Sequence, residues 1–474
     1  KFKTDNKFSL EINKKFKVKN IILNSDINIS NLKYKRLDII QNYFQDIDKL
    51  ILLNNHKLNI NYKDNNLSVK GEGEIQLNNN EVDQIKYLIN KKDKDFNIDT
   101  ELLIKNINLK TQDYLKNFFP QINKNINFNN QKLKIKYNNN ILSLFGSGKF
   151  KINKDYEEIH YFFEKKENQI TFNTDLNIKN TKFKIDNINY KKRDDTKMRL
   201  QIQGDQSDNK NLNIKSFIIK EKNNNIKITN LSLNDSNQII KIDQANFNYF
   251  DTENKKNNYN LKKVGDYDYV IFGNSFNANF LISNLLDTDD EKEKNFFENN
   301  LNIDLSLEEV YIDKIYFVKD LKGRLKIDDN NVVDADISAF FNNSQNMKFT
   351  IRTNKQGEKI TTLFSSRAKP LINRYKFIKG FKDGKEGFLD FYSSKKDGVS
   401  TSKLVIDNFK VKEIPALAKL LALASLQGIA DLLTGEGIRF TDFEMNFINQ
   451  DKIMKIQELY AIGPAISILL QGYI

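Results

Sequence analysis

Apolar residues recur at every second position through most of the chain, and that period decides what it can fold into. In Lys57-Leu58-Asn59-Ile60-Asn61-Tyr62, the side chains of Leu58, Ile60 and Tyr62 fall on one face of an extended strand. Lys132-Leu133-Lys134-Ile135-Lys136-Tyr137 repeats the pattern with Leu133, Ile135 and Tyr137. The alternation continues at Phe183/Ile185, Met198/Leu200/Ile202, Ile226/Ile228, Leu325/Ile327, Phe349/Ile351 and Leu404/Ile406. A period of two means strands with one apolar and one wet face. Clusters of Asn, Asp, Gly and Lys punctuate the strands at intervals of about ten residues, as in antiparallel meanders. The expected fold is mainly β: a long, curled, largely antiparallel sheet forming a groove or trough, built of repeats, with a few short amphipathic helices.

The repeat is explicit in the N-terminal third. Residues 31–78 align with 106–153 without a gap. Leu67-Ser68-Val69-Lys70-Gly71-Glu72-Gly73 matches Leu142-Ser143-Leu144-Phe145-Gly146-Ser147-Gly148. Tandem units over about 20–94 and 95–168 follow, each a short helix and several strands, and such units stack to bury apolar surface. Helical spacing places helices at about 38–53 and 112–119, the second ended or kinked by Pro120. Further helices are expected at about 278–286 and 415–433. The paired glycines follow a strand but open no helix and lack the third glycine of a dinucleotide fingerprint, so they read as bulges or bends. His56 stands where the second copy has Gln131, which marks a scaffold position on the surface rather than a catalytic one.

Composition removes several chemistries. The 474 residues include no Cys, so disulfides, thiolate metal sites and a Cys nucleophile are out. With only His56 and His160, a multi-histidine metal site has too few ligands, and His160 lies in an apolar stretch with no second ligand or base at a recognisable spacing. The acidic run Asp287, Asp289, Asp290, Glu291 and Glu293 resembles a calcium loop, but Lys292 falls where the sharp turn needs Gly, so a solvated loop is favoured. No catalytic residue, metal site or cofactor is expected. The net charge of +13 invites a nucleic-acid reading. The basic residues are almost all Lys, interleaved with Asp and Asn rather than gathered in a stripe, which fits the wet side of one-faced strands. No apolar run reaches the roughly 18 residues of a membrane span. The chain begins at Lys1 without a signal-peptide pattern and reads as an internal piece of a longer protein.

Composition changes towards the C-terminus. Pro415 fits the first turn of a Leu- and Ala-rich helix that Gly435-Glu436-Gly437 closes as a glycine cap. Both a buried core helix and one inserting at an apolar rim suit that sequence. The string Val411-x-x-x-Pro415-Ala416-Leu417-Ala418-x-Leu420-Leu421-x-Leu423-Ala424-Ser425-Leu426-x-Gly428-Ile429-x-Asp431-Leu432-Leu433-x-Gly435-Glu436-Gly437-Ile438-x-Phe440 resembles the AsmA-like C-terminal region. Ala461-Ile462-Gly463-Pro464-Ala465-Ile466 resembles the same family's next strands. The likeness is strongest over about 367–474 and extends back to about 265, dividing the chain into a repeated region, 1–265, and an AsmA-like region, 266–474. Members of that family are envelope proteins of Gram-negative bacteria and resemble bridge-like lipid transporters. The resemblance therefore implies a periplasmic, inner-membrane-anchored protein whose anchor helix lies outside this sequence, with phospholipid as its partner and the outer membrane at the far end.

One-faced strands need cover, and the helices are too few to supply it. Two sheets could close on each other, giving a structural β-solenoid or envelope assembly factor with no lipid cargo. Alternatively one long sheet keeps its apolar face for acyl chains, with Leu58, Ile60, Tyr62, Leu133, Ile135, Tyr137, Ile226, Ile228, Leu325, Ile327, Leu404 and Ile406 as the expected lining. Burying roughly 30 methylenes at about 0.8 kcal/mol each would favour occupancy by on the order of 25 kcal/mol before the costs of binding. The second arrangement, a non-enzymatic lipid conduit, is the leading expectation.

Overall fold

The computed structural model describes residues 2–35, 47–78, 81–207, 211–282, 299–328, 331–372, 381–383, 387–412, 429–430, 434–435, 437–451 and 453–473. The protein is mainly β and largely antiparallel, and its contacts divide it into two compact units, Lys1–Asn237 and Gln238–Ile474.

The first unit is a meander. Its strands are β1 (Phe2–Ile12), β2 (Val18–Lys35), β3 (Leu50–Lys63), β4 (Asn66–Asn78), β5 (Glu81–Lys92), β6 (Asp95–Lys110) and β7 (Asn125–Asn138). There follow β8 (Ile141–Lys151), β9 (Tyr156–Lys166), β10 (Gln169–Ile178), β13 (Met198–Gln206), β14 (Leu212–Glu221) and β15 (Asn224–Leu233). Each pairs antiparallel with the next. Between β10 and β13 a two-stranded ribbon, β11 (Lys184–Ile185) with β12 (Tyr190–Lys191), stands outside the main sheet. The alternation at Phe183/Ile185 therefore yields only a short side ribbon.

The second unit contains β16 (Ile239–Phe250), β17 (Lys256–Lys263), β18 (Asp268–Asn277), β19 (Leu301–Tyr311), β20 (Phe317–Asp328), β21 (Asn331–Asn342) and β22 (Gln345–Thr353). It continues with β23 (Lys359–Ser365), β24 (Phe381–Asp383), β25 (Leu389–Lys396), β26 (Val399–Val411), β27 (Ile438–Gln450), β28 (Ile453–Ile462) and β29 (Ser467–Tyr473). Two steps depart from the meander: β18 and β19 pair parallel, joined by the connection 278–300, and the short β24 is passed over, since β23 pairs with β25 while β24 pairs with the end of β26.

The connections are unequal at the two strand ends. In the first unit the tight turns 64–65, 93–94, 139–140 and 167–168 lie at one end, the hairpin end, while 36–49, 111–124 and 179–197 leave from the other, the connector end. Asp64-Asn65 and Asn139-Asn140 carry positive φ at both residues, the backbone that two-residue hairpins require. In the second unit 354–358 and 397–398 mark the hairpin end, and 366–388 and 412–437 leave from the connector end.

Burial follows this asymmetry. At the connector end of the first unit Phe119, Phe183 and Tyr190 are buried, with Phe119 against Phe183 at 5.3 Å between ring centroids. Buried carboxylates fasten the connections there. Glu157 accepts the backbone N–H groups of Lys179, Asn180 and Thr181, and Glu221 accepts the Tyr190 hydroxyl at 2.8 Å and the Arg193 N–H at 2.7 Å. In the second unit Ala368 and Ile372, beside the short helix Lys369–Ile372, pack with Phe381, Phe409, Ile438 and Phe440.

The expected helices are only partly met. The one at 112–119 is a 3-10 turn, Asp113–Asn117. Of 38–53, residues 38–46 lie outside the described residues, and from Leu50 the chain is strand, because Leu50–Leu53 pairs with Leu32–Lys35. Residues 279–282 of the third helix are helical, and 283–298, with the acidic run, lie outside the described residues.

The repeated glycines act through close packing. Asn55 and Asn130 have positive φ and sit at register shifts opposite Gly73 and Gly148, so the bulges fall on the strands facing the glycines, while Gly71 and Gly146 pair in regular register. A Cβ on Gly146 would stand 2.2 Å from the Tyr161 ring, as one on Gly71 would from Tyr87. Gly146→Ala is expected to lower the unfolding free energy by about 1–3 kcal/mol. Gly472→Ala, whose Cβ would meet open space, should leave the midpoint of chemical denaturation close to that of the unaltered protein.

Candidate functional site

Paired residues in adjacent strands point to the same face, so the register traces what each face carries. In the first unit one row runs Ile27–Leu58–Gly71–Tyr87–Thr100–Ile135–Leu144–Phe163–Phe172–Gly204–Ile214–Leu231. Charge is absent from it across twelve strands. In the second unit the corresponding row is Ala245–Leu261–Ile271–Leu305–Gly323–Ile337–Phe349–Leu363–Phe391–Leu404–Met445–Leu459–Leu470. It too is free of charge and of any polar side chain.

These faces are not sealed. Ile135, Leu144 and Phe172 are half-buried and Phe163 is 43% exposed, although no charged residue flanks any of them in the row. Of the expected lining residues, Leu58, Ile60, Tyr62, Leu133, Ile135, Tyr137, Ile228, Leu325 and Ile327 are half-buried and lie towards the hairpin ends. Ile226 and Ile406 are fully buried at 0%, nearer the connector ends, and Leu404, in the middle of β26, is buried at 8%. All twelve point to the apolar face of their own unit.

The opposite face carries the charge. On it Lys86 lies 3.7 Å from Glu72, Lys134 lies 3.7 Å from Glu101, Arg324 bonds Asp304 at 2.8 Å and Lys403 bonds Glu444 at 2.8 Å. The hydrogen bonds from Lys403 and Asn446 hold the Glu444 carboxyl down to about 2. A shallow depression of about 790 Å³ on this face of the first unit is lined by Lys86, Glu101, Lys134, Phe145, His160 and Phe162. His160 is thus exposed on the wet side of β9.

His56 corrects the sequence reading. It is buried at 1% exposure, not on the surface, and its Nε2 lies 3.1 Å from the Tyr87 hydroxyl. Burial lowers its pKa, which favours the neutral ring. Gln131, at the equivalent position, is equally buried and accepts the Tyr161 hydroxyl at 3.1 Å. His and Gln interchange here because the site asks for a planar polar group of similar size that can meet a tyrosine hydroxyl. Burial pushes the Tyr161 hydroxyl up to about 12, so it remains a donor. Tyr87 and Tyr161 were not singled out from the sequence, though they stand at the repeat spacing and each covers a repeated glycine.

Of the residues read for the AsmA-like resemblance, Pro415, Leu420, Leu421, Ser425, Gly428 and Asp431 lie outside the described residues. Gly435 has φ +65° just after Thr434 donates its N–H to the Ala430 carbonyl, the arrangement of a glycine helix cap. Gly437 has φ +96° and approaches the Val411 carbonyl, Phe440 is buried against Phe409 at 5.4 Å, and Gly463-Pro464 forms the turn into β29. No protein-family model and no curated protein matches the chain. Among the described residues there is no cluster of three metal-ligating side chains and no helix long and apolar enough to cross a membrane.

The burial gradient gives a direct test. Ile226→Asp places a carboxylate in a sealed position and is expected to cost more than about 3 kcal/mol, measurable by urea denaturation. Ile135→Asp, on the half-open face, should cost less than half as much.

Proposed function

We propose that this chain is a non-enzymatic carrier of acyl-chain lipids, holding their chains against the apolar face of its sheet. One observation carries the reading: an uncharged row crosses essentially every main-sheet strand of each unit while most of its side chains stay only partly buried. A face of that kind gains by covering about 25 cal/mol for each Å² removed from water. Acyl chains suit it, since they need no hydrogen-bond partners and every position along the row offers a similar environment. The wet face, with its ion pairs, keeps the other side in solvent. The resemblance of 411–440 and 461–468 to the AsmA-like C-terminal region supports the same reading. On it the protein works in the periplasm of a Gram-negative bacterium, anchored to the inner membrane, and moves phospholipid towards the outer membrane.

The competing arrangement, a structural or assembly protein whose apolar faces are closed, is favoured by the sealed connector ends, where Ile226 and Ile406 are inaccessible. Solvent extraction of the purified protein followed by mass spectrometry separates the two. The carrier is expected to release phospholipid in amounts comparable with the protein, and Ile135→Asp should reduce that yield while the protein remains folded. Lipid-free protein that also takes up none from vesicles would overturn the proposal.

A further inference from the structure

The apolar face of the second unit changes character at its hairpin end. One register row above Phe349–Leu363–Phe391–Leu404 lies Ile351–Thr361–Ser393–Ser402, and above that Thr353–Lys359–Lys395–Ser400. Lys359 and Lys395 are therefore direct cross-strand neighbours on the same face as the apolar row. Like charges placed so are destabilising unless something lies between them or over them. Neither makes an ion pair with a carboxylate among the described residues, whereas cross-strand ion pairs are common on the opposite face. Burial and the neighbouring Lys395 charge hold the Lys359 ammonium below its ordinary value.

The surrounding groups are donors. The Ser402 hydroxyl donates to Ser393 at 2.8 Å, which leaves the Ser393 hydrogen without an acceptor among the described residues. Thr361 and Ser400 add two more hydroxyls. Two ammonium groups and three hydroxyl donors, with no carboxylate paired to the ammonium groups among the described residues, make the chemistry of an oxyanion site.

We infer that the Lys359–Lys395 patch binds a phosphate-type anion, and that the anion is the headgroup of an amphiphile whose chains lie on the row of Leu363, Phe391 and Leu404. This rests on the lipid-carrier reading for the source of the anion, but not for the site. It adds a preference for anionic over zwitterionic headgroups and sets the headgroup towards the hairpin end of β23 and β25.

The test offers the protein vesicles containing equal amounts of dioleoyl-phosphatidylglycerol and dioleoyl-phosphatidylcholine, re-isolates it, and counts each lipid by mass spectrometry. The unaltered protein should take up phosphatidylglycerol in excess, by roughly fivefold as expected for charge-assisted contacts. In Lys359→Gln/Lys395→Gln the ratio should fall to near one with phosphatidylcholine uptake unchanged. Lys322→Gln/Lys326→Gln, which removes the same charge from the wet face of β20, should keep the excess. An unchanged ratio in the first double variant overturns the site and leaves the lipid reading standing. If no lipid is taken up, yet glycerol 1-phosphate raises the melting temperature of the unaltered protein and not of Lys359→Gln/Lys395→Gln, the anion site stands and its lipid source is overturned. If neither probe binds, both fall.

Discussion

Everything in this protein depends on cross-strand register. Side chains alternate along a strand with a period of two, so a slip of one residue in any pairing would turn one strand's apolar set into water and bring its charges inside. Twelve or more successive pairings keep phase in each unit. Two-residue turns with positive φ at Asp64-Asn65 and Asn139-Asn140 fix some of them. Where the phase must shift, a bulge absorbs the extra residue, as at Asn55 and Asn130. Each bulge faces a glycine, and the space the glycine leaves is filled by His56 or Gln131.

Alternation made the strands legible, because it is a local property that neighbouring residues write directly. The rows were not legible, since each is assembled from single residues of many strands, and their alignment is set by turns and bulges. The tandem repeat was read correctly as a repeat, but its most informative position was misread. Substitution of His56 by Gln131 suggested tolerance, whereas both side chains are sealed and share a hydrogen bond to tyrosine. Helical spacing misled at 50–53, where main-chain pairing of Leu50–Leu53 with β2 overrides it. Lys359 and Lys395 carry no signal in the sequence at all, and only the β23–β25 register makes them neighbours.

A sheet with one dry face gets its stability unevenly. At the connector ends aromatic rings, short helical segments and buried carboxylates close over the face, and side chains there fall below a tenth of their full exposure. Towards the hairpin ends the strands are held mainly by main-chain pairing and contacts within the layer. The proposed carrier function draws on that difference, since a face sealed from end to end would admit no chain, and one bare from end to end would give up much of the burial that folds it.

The parallel pairing of β18 with β19 sets a parity. In a meander, strand direction reverses at every step, so the end from which a connection leaves is decided by whether an odd or even number of strands precedes it. One parallel step repeats a direction and shifts that count by one. Without it, 366–388 and 412–437 would leave from the end opposite the one where Asp251 and Asn277 are buried. Insertion or loss of a single strand upstream within this unit would have the same effect, and would carry the packed helix at Lys369–Ile372 to the rim that now holds the lysine pair. Strands here can be gained or lost in twos, but not singly, without turning the unit's architecture end for end.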